Sequence, residues 1–286
     1  MITLTERLKS SLNQQIDESF GQFPGLSNIA EFCANEIFMA CNGESVKPNE
    51  TYTLAFDRND FDCIDKVFFK EVEFNIKFVK ASDTRAAYVP NAKIDKRTMR
   101  FKKVEIDLYL SYEKEINAKE LWRDLMHELT HAYTDYKLKL KGIDYFNQLG
   151  EFYSKVEYDP NAPDIQNQIR QALYLTLGVE KQAFLAQFDA EIELSEKQIK
   201  TPADAMEILR NTEVYSFYAD LKAFIDEYFN DNLEEEAIEL ITSEYNRISN
   251  TNYQPVKVFK KLRFLIDKAI EKFDKVIEKL CLDRFS

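Results

Sequence analysis

The hydrophobic period changes twice along this chain, from helical to strand spacing and back, and those changes limit the folds open to it. Thr51 to Phe56 places Tyr52, Leu54 and Phe56 on one face. Val72 to Val79 and Val104 to Leu110 alternate in the same way, and Arg85 to Val89 is a short run stopped by Pro90. A period of two marks half-buried strands. Elsewhere apolar residues recur at spacings of three and four. This pattern predicts helices at 4–20 and 26–42, at 118–141, and near 164–176, 179–197, 202–210, 212–229, 233–248 and 255–282. Residues 143–162, ending in Asp159-Pro-Asn-Ala-Pro163, read as irregular. A small sheet with helices segregated around it is an α+β fold. The 286 residues suit one large domain or a core with a helical extension. The expected parts are an N-terminal helical segment at 1–50, a core at 51–195 and a C-terminal helical subdomain at 196–286.

Composition removes several functional classes. The six glycines sit singly, at positions 21, 25, 43, 142, 150 and 178, so no Gly-rich phosphate loop can be assembled. The formal net charge of −12 repels phosphate backbones and anionic lipid surfaces. Neither nucleic acid nor a membrane is therefore an expected partner, although Lys257 to Lys279 is locally basic. Cys33, Cys41, Cys63 and Cys281 contain no C-x-x-C pair and read as reduced, mostly buried thiols. The first ten residues have no apolar core of a signal peptide, and no run approaches a spanning helix, so a cytoplasmic protein is expected.

The two histidines of the chain both fall in the 118–141 helix, in the run His127-Glu128-Leu129-Thr130-His131. Asn117 is a good N-cap with Glu120 at N3, and Gly142 can take the left-handed position after the last turn. Trp122, Leu125, Leu129, Ala132 and Tyr136 form the expected buried face, and the histidines point away from it. Four residues apart, they are separated by about 40° around the axis, so both imidazoles can reach one ion. Glu128 stands beside that ion, placed to accept a proton from water on it. The spacing predicts a zinc (Zn2+) site. The rival reading is a solvent-facing pair without a role.

Zinc needs a third protein ligand, and with histidine exhausted an Asp or Glu must supply it. Asp135 lies on the same helix, where ligands at i, i+4 and i+8 fan out too widely; it reads as a supporting carboxylate or a solvated one. Glu151, Glu191 and Glu193 are further candidates with little context. Glu180 is favoured. It begins a helix, and Ala183 one turn on would allow a close approach. Its plainer role would be a first-turn glutamate on the helix dipole.

His127-Glu-Leu-Thr-His131 followed by a helical Glu180-x-x-Ala183 resembles the gluzincin group of zinc metallopeptidases. The stretch Tyr174 to Gln187 is similar to the downstream ligand helix of small, often phage- or mobile-element-encoded members. The resemblance covers about residues 72–195. It implies a zincin-like core, a mixed, mainly antiparallel sheet over the metal helix, and hydrolysis of peptide bonds. On it, His127, His131 and Glu180 match the ligands and Glu128 the general base. The substrate-aligning edge strand falls on Arg85 to Val89, where Ala86, Ala87 and Tyr88 would pair with an extended peptide. The sequence departs from many such enzymes in having no downstream histidine to stabilise an oxyanion. Tyr133 and Tyr174 are unmarked substitutes.

Two rivals stand beside the peptidase. The core could be a scaffold in a regulatory or virion-associated protein with weak or no proteolysis, or a zinc hydrolase for another amide. The last helix carries a seam of Phe259, Leu262, Ile266, Ala269, Phe273, Val276 and Leu280. It would either dimerise or dock a partner through 255–282, or pack on its own domain. A phage-encoded chain would work in the host cytoplasm or the virion.

Overall fold

The structure, a computed structural model, describes residues 25–42, 51–55, 68–80, 85–194, 199–229 and 233–283. The expected helix at 4–20 lies outside them. The chain divides into two compact units, and among the described residues the division falls between Asn147 and Gln148. Helices and a mixed sheet together make an α+β protein.

In the first unit, helix α1 (Leu26–Asn42) precedes strands β1 (Thr51–Ala55), β2 (Phe69–Val79), β3 (Arg85–Val89), β4 (Ile94–Asp95) and β5 (Arg100–Ser111). Helix α2 (Ala118–Leu140) follows. The sheet order is β1-β2-β5-β3, with β4 also on β5. β1 is antiparallel to β2, β2 parallel to β5, and β3 and β4 antiparallel to β5. The chain therefore runs out through β3 and β4 and returns between β2 and β3, which leaves β3 at the edge.

The alternation read from sequence divides the sheet's two faces. Val72, Phe74, Ile76, Val104, Ile106 and Leu108 are fully buried. The opposite face carries polar pairs, with Lys103 bridging Glu73 and Glu105 and Asn75 donating to Asp107. Helix α2 packs against β3, β4, β5 and α1. Leu121, Leu125, Leu129 and Ala132 of α2 are buried with Ile29, Cys33 and Ile37 of α1. Cys33 and Cys41 are free thiols, and burial pushes the Cys33 thiol far above its ordinary range.

Both ends of α2 are held as its sequence implies. The Asn117 side chain accepts from the Lys119 N–H at 2.9 Å. At the other end Gly142 adopts φ +76°, its N–H bonds to the Lys139 carbonyl, and the Ile143 N–H reaches back to Leu138. That pair of bonds is a Schellman motif, which satisfies carbonyls the last turn leaves open.

Helix α3 (Tyr145–Val156) runs across the division, and here the irregular reading of 143–162 is corrected. Tyr145, Phe146, Leu149, Phe152, Tyr153 and Val156 recur at helical spacing. Burial of that stripe outweighs the roughly 1 kcal/mol that Gly150 costs relative to alanine.

The second unit continues with α4 (Asp164–Leu175), α5 (Gly178–Leu194), α6 (Pro202–Arg210), α7 (Glu213–Tyr228), α8 (Glu235–Ser249) and α9 (Pro255–Asp283). Helix α9 packs against α4 through α8. Leu262, Ile266, Ala269 and Phe273 of the expected seam are all buried there, so these residues pack on their own unit. Phe259 is half-buried against Phe229; the side chains of Val276 and Leu280 lie outside the described set.

Candidate metal centre

On α2 the two imidazoles converge. His127 Nε2 and His131 Nε2 stand 3.0 Å apart, and the rings meet edge to face. Two nitrogens bound at 2.0–2.1 Å to a tetrahedral ion lie about 3.3 Å apart, so the pair is within a few tenths of an ångström of a chelating geometry. Ligand atoms of His127, Glu128 and His131 all lie within 4.8 Å of one another. Among the described residues this is the group suited to a metal ion. Its donors, two imidazoles beside a carboxylate, suit zinc chemically.

The histidines do not face the open solvent in which the rival reading of the pair placed them. Each is only 6% exposed. The reason is local cover: Phe146 lies 5.6 Å from His131, and the Tyr88 ring of β3 packs edge-on against Phe146. Tyr136, expected in the core, is only half-buried and donates its hydroxyl to the Met99 carbonyl.

Glu128 ties the metal-capable helix to the sheet edge. Its Oε2 accepts the Tyr88 backbone N–H at 2.6 Å. That bond fixes the phase of the edge strand. Peptide groups of an antiparallel edge strand alternate in direction. Because Tyr88 points away from β5, Ala86 points away with it, while Ala87 faces its partner Asp107. The three residues expected to align a substrate thus divide, with Ala86 and Tyr88 on the outer edge and Ala87 turned into the sheet.

A second tie repeats the first one turn of α2 further on and then another. Asp135 is fully buried, and its Oδ2 accepts the Tyr88 hydroxyl at 2.6 Å and the Lys139 ammonium at 2.8 Å. Lys139 also donates to the Pro90 and Ala92 carbonyls. Burial raises the Asp135 pKa, against the pull of Lys139 and Tyr88. Burial and the Asp135 charge push the Tyr88 phenol far above its usual value. Asp135 is therefore not the solvated residue of one sequence reading; the groups it supports are the Tyr88 hydroxyl and the Lys139 ammonium.

Glu180 belongs to the second unit. It sits in the first turn of α5 and is 1% exposed, with Oε1 accepting the Tyr153 hydroxyl at 2.6 Å. This first-turn place also suits the plainer reading of a carboxylate on the helix dipole, buried with a hydroxyl donor. Ala183, one turn on, is fully buried. Glu151 is exposed and ion-paired with Lys155 at 2.7 Å, which holds its carboxyl below the usual range. Glu191 is half-buried, and the Glu193 side chain is outside the described set. Of the two tyrosines weighed for an oxyanion, Tyr133 packs on Phe68 at 5.2 Å and Tyr174 stacks edge-on with Tyr153 at 6.3 Å.

Sequence reasoning missed Tyr153 and the Tyr88–Asp135–Lys139 chain. Tyr153 lay in a segment read as irregular. The spacing Glu128, Asp135, Lys139 on α2 does mark one side of the helix, but nothing local names β3 as its partner.

No family model, curated protein or solved structure matches this chain.

Proposed function

We propose that the chain is a zinc-dependent metallopeptidase with a zincin-like core of the gluzincin kind, using His127, His131 and Glu180 as ligands and Glu128 as general base. One observation carries the reading: two buried imidazoles converge at 3.0 Å beside a carboxylate that is itself anchored to an edge strand. Bound zinc supplies Lewis-acid polarisation of a carbonyl and acidifies water toward neutrality. The chain's own residues supply the rest. The Tyr88 N–H fixes one oxygen of Glu128, which leaves the carboxylate oriented to take a proton from water and return it to a leaving amine. Along the outer edge the Ala86 N–H and carbonyl and the Tyr88 carbonyl are offered to an extended peptide adding as a strand, while the Tyr88 N–H stays with Glu128. Glu180 enters as the carboxylate ligand on the sequence resemblance; its described partner is the Tyr153 hydroxyl of its own unit.

A structural reading has its own observation. At 3.0 Å the two Nε2 atoms can share a hydrogen bond, and Glu128 already serves β3. On that reading the group pins helix to sheet in a scaffold without hydrolysis.

Metal content of the purified protein separates the two. The peptidase reading expects one zinc per chain in wild type and loss of zinc in both His131→Ala and Glu180→Ala. A metal-free wild type refutes it, and zinc retained in Glu180→Ala refutes Glu180 as the ligand. Glu128→Gln keeps an oxygen for the Tyr88 N–H, so this variant should fold, hold zinc and fail to cleave peptides. Cleavage at the native rate would remove Glu128 as the base.

A further inference from the structure

The helical second unit contains a cavity of about 730 Å³ that the proposed metal site does not use. Its size lies within the range of small-ligand sites. One wall is a run of aromatic rings in contact: Tyr153 with Tyr174 at 6.3 Å, Tyr174 with Phe184 at 6.3 Å, and Phe184 with Phe217 at 6.0 Å. They come from α3, α4, α5 and α7, so four helices converge on the space. The remaining lining combines the aliphatic Val156 and Leu175 with amide, hydroxyl and carboxylate groups. Glu157 and Asp164 line the cavity, both are exposed, and neither pairs with a cation among the described residues. No lysine, arginine or histidine is among the lining residues. The nearby Arg170 is committed to Glu244 at 2.6 Å, and Lys155 to Glu151.

Aromatic faces and unpaired carboxylates around one cavity have a common complement. Ring faces attract a cation that is poorly hydrated, and a planar guanidinium both stacks on them and pairs with carboxylates. An anionic ligand would meet two like charges and no donor cation. A purely apolar ligand would leave both carboxylates without use. The chain's charge of −12 further favours a basic partner.

We infer that this cavity is a binding site for an arginine side chain presented on a peptide. The binding itself is independent of the metal reading. The two meet at Tyr153, which lines the cavity and donates to Glu180. If the peptidase reading holds, the site selects substrates carrying arginine.

The test uses the full chain and ligand-observed NMR titration with N-acetyl-L-arginine amide. N-acetyl-L-norleucine amide, which keeps the aliphatic stem and lacks the guanidinium, is the comparison. Arginine amide should bind about tenfold more tightly than norleucine amide. The exposed double change Glu157→Gln/Asp164→Asn should erase most of that difference, and Tyr174→Leu should weaken arginine amide about fivefold. Chelating metal with EDTA should change neither result, which separates failure of this site from failure of the metal assignment. Equal binding of the two amides overturns the inference, as does binding unaltered in the double variant or no binding of either probe.

Discussion

Tyr88→Phe removes one hydroxyl from the tie between the edge strand and α2 and leaves its neighbours in place. The backbone N–H to Glu128 persists, and so does the ring contact with Phe146 at 5.8 Å. What is lost is a 2.6 Å hydrogen bond to the carboxylate of Asp135, a residue with no exposed surface. Asp135 Oδ1 has no hydrogen-bond partner among the described residues, so after the change only Lys139 supports the buried charge. A hydrogen bond to a charged group contributes about 1.5–3 kcal/mol, which sets the expected loss near 2 kcal/mol. The single tryptophan, Trp122, is 7% exposed on α2, and its fluorescence reports unfolding of this unit. With a urea dependence of about 2 kcal/mol per molar, the midpoint should fall by about 1 M. In an Asp135→Asn background the same change should cost about 1 kcal/mol less, because the partners act as a pair. The pH dependence has a definite sign. The folded Asp135 pKa is raised, so its contribution favours the fold below the unfolded value and is lost as pH rises through the folded one. Losing a donor to the charged form raises that pKa further, so the cost of Tyr88→Phe should be larger at neutral pH than in acid. A midpoint shift under about 0.2 M at neutral pH, or full additivity with Asp135→Asn, would refute the clamp.

Chelation should lower the Trp122-detected stability by about 4 kcal/mol when free zinc had stood at a thousandfold excess over its dissociation constant, and an unmoved transition would contradict a folded-state zinc site. Gly142→Ala forces a side chain into φ +76° with nothing within 4 Å to clash, so the cost is backbone strain alone, about 1 kcal/mol by the same fluorescence assay; a neutral result would show that the Schellman turn relaxes. Glu244→Gln uncouples a buried carboxylate from Arg170 and Arg247 and should destabilise the fold by about 2–4 kcal/mol in far-UV circular dichroism. Burial pushes the Glu244 pKa up, but the two guanidiniums outweigh it and hold the carboxyl low. Its stabilisation is therefore present above the ordinary glutamate pKa and drains away as pH falls through the folded value. Glu244→Gln should flatten that acid limb, and an unchanged limb would place the titrating group elsewhere.

The secondary structure of this chain was legible because each signal is local. Alternation at 72–79 and 104–110 needs no partner to be read, and Asn117 and Gly142 mark the ends of α2 by their own chemistry. Pairing was less accessible. The edge position of β3 followed from resemblance, yet its phase, with Ala86 and Tyr88 outward and Ala87 inward, depends on the Glu128 bond from another element. Burial of the histidines was illegible for the same reason. A helical wheel counts residues of one helix, whereas His131 is covered by Phe146 from beyond the turn. The same limit bears on function. Spacing alone brings His127, Glu128 and His131 together, because all three ride on one helix. Nothing in spacing could reveal that Glu128 and Asp135 grip the backbone N–H and the hydroxyl of the same tyrosine. That double grip fixes the distance between the edge strand and the motif helix. In the proposed reaction it would let Glu128 act on a peptide held by β3 without either element having to move.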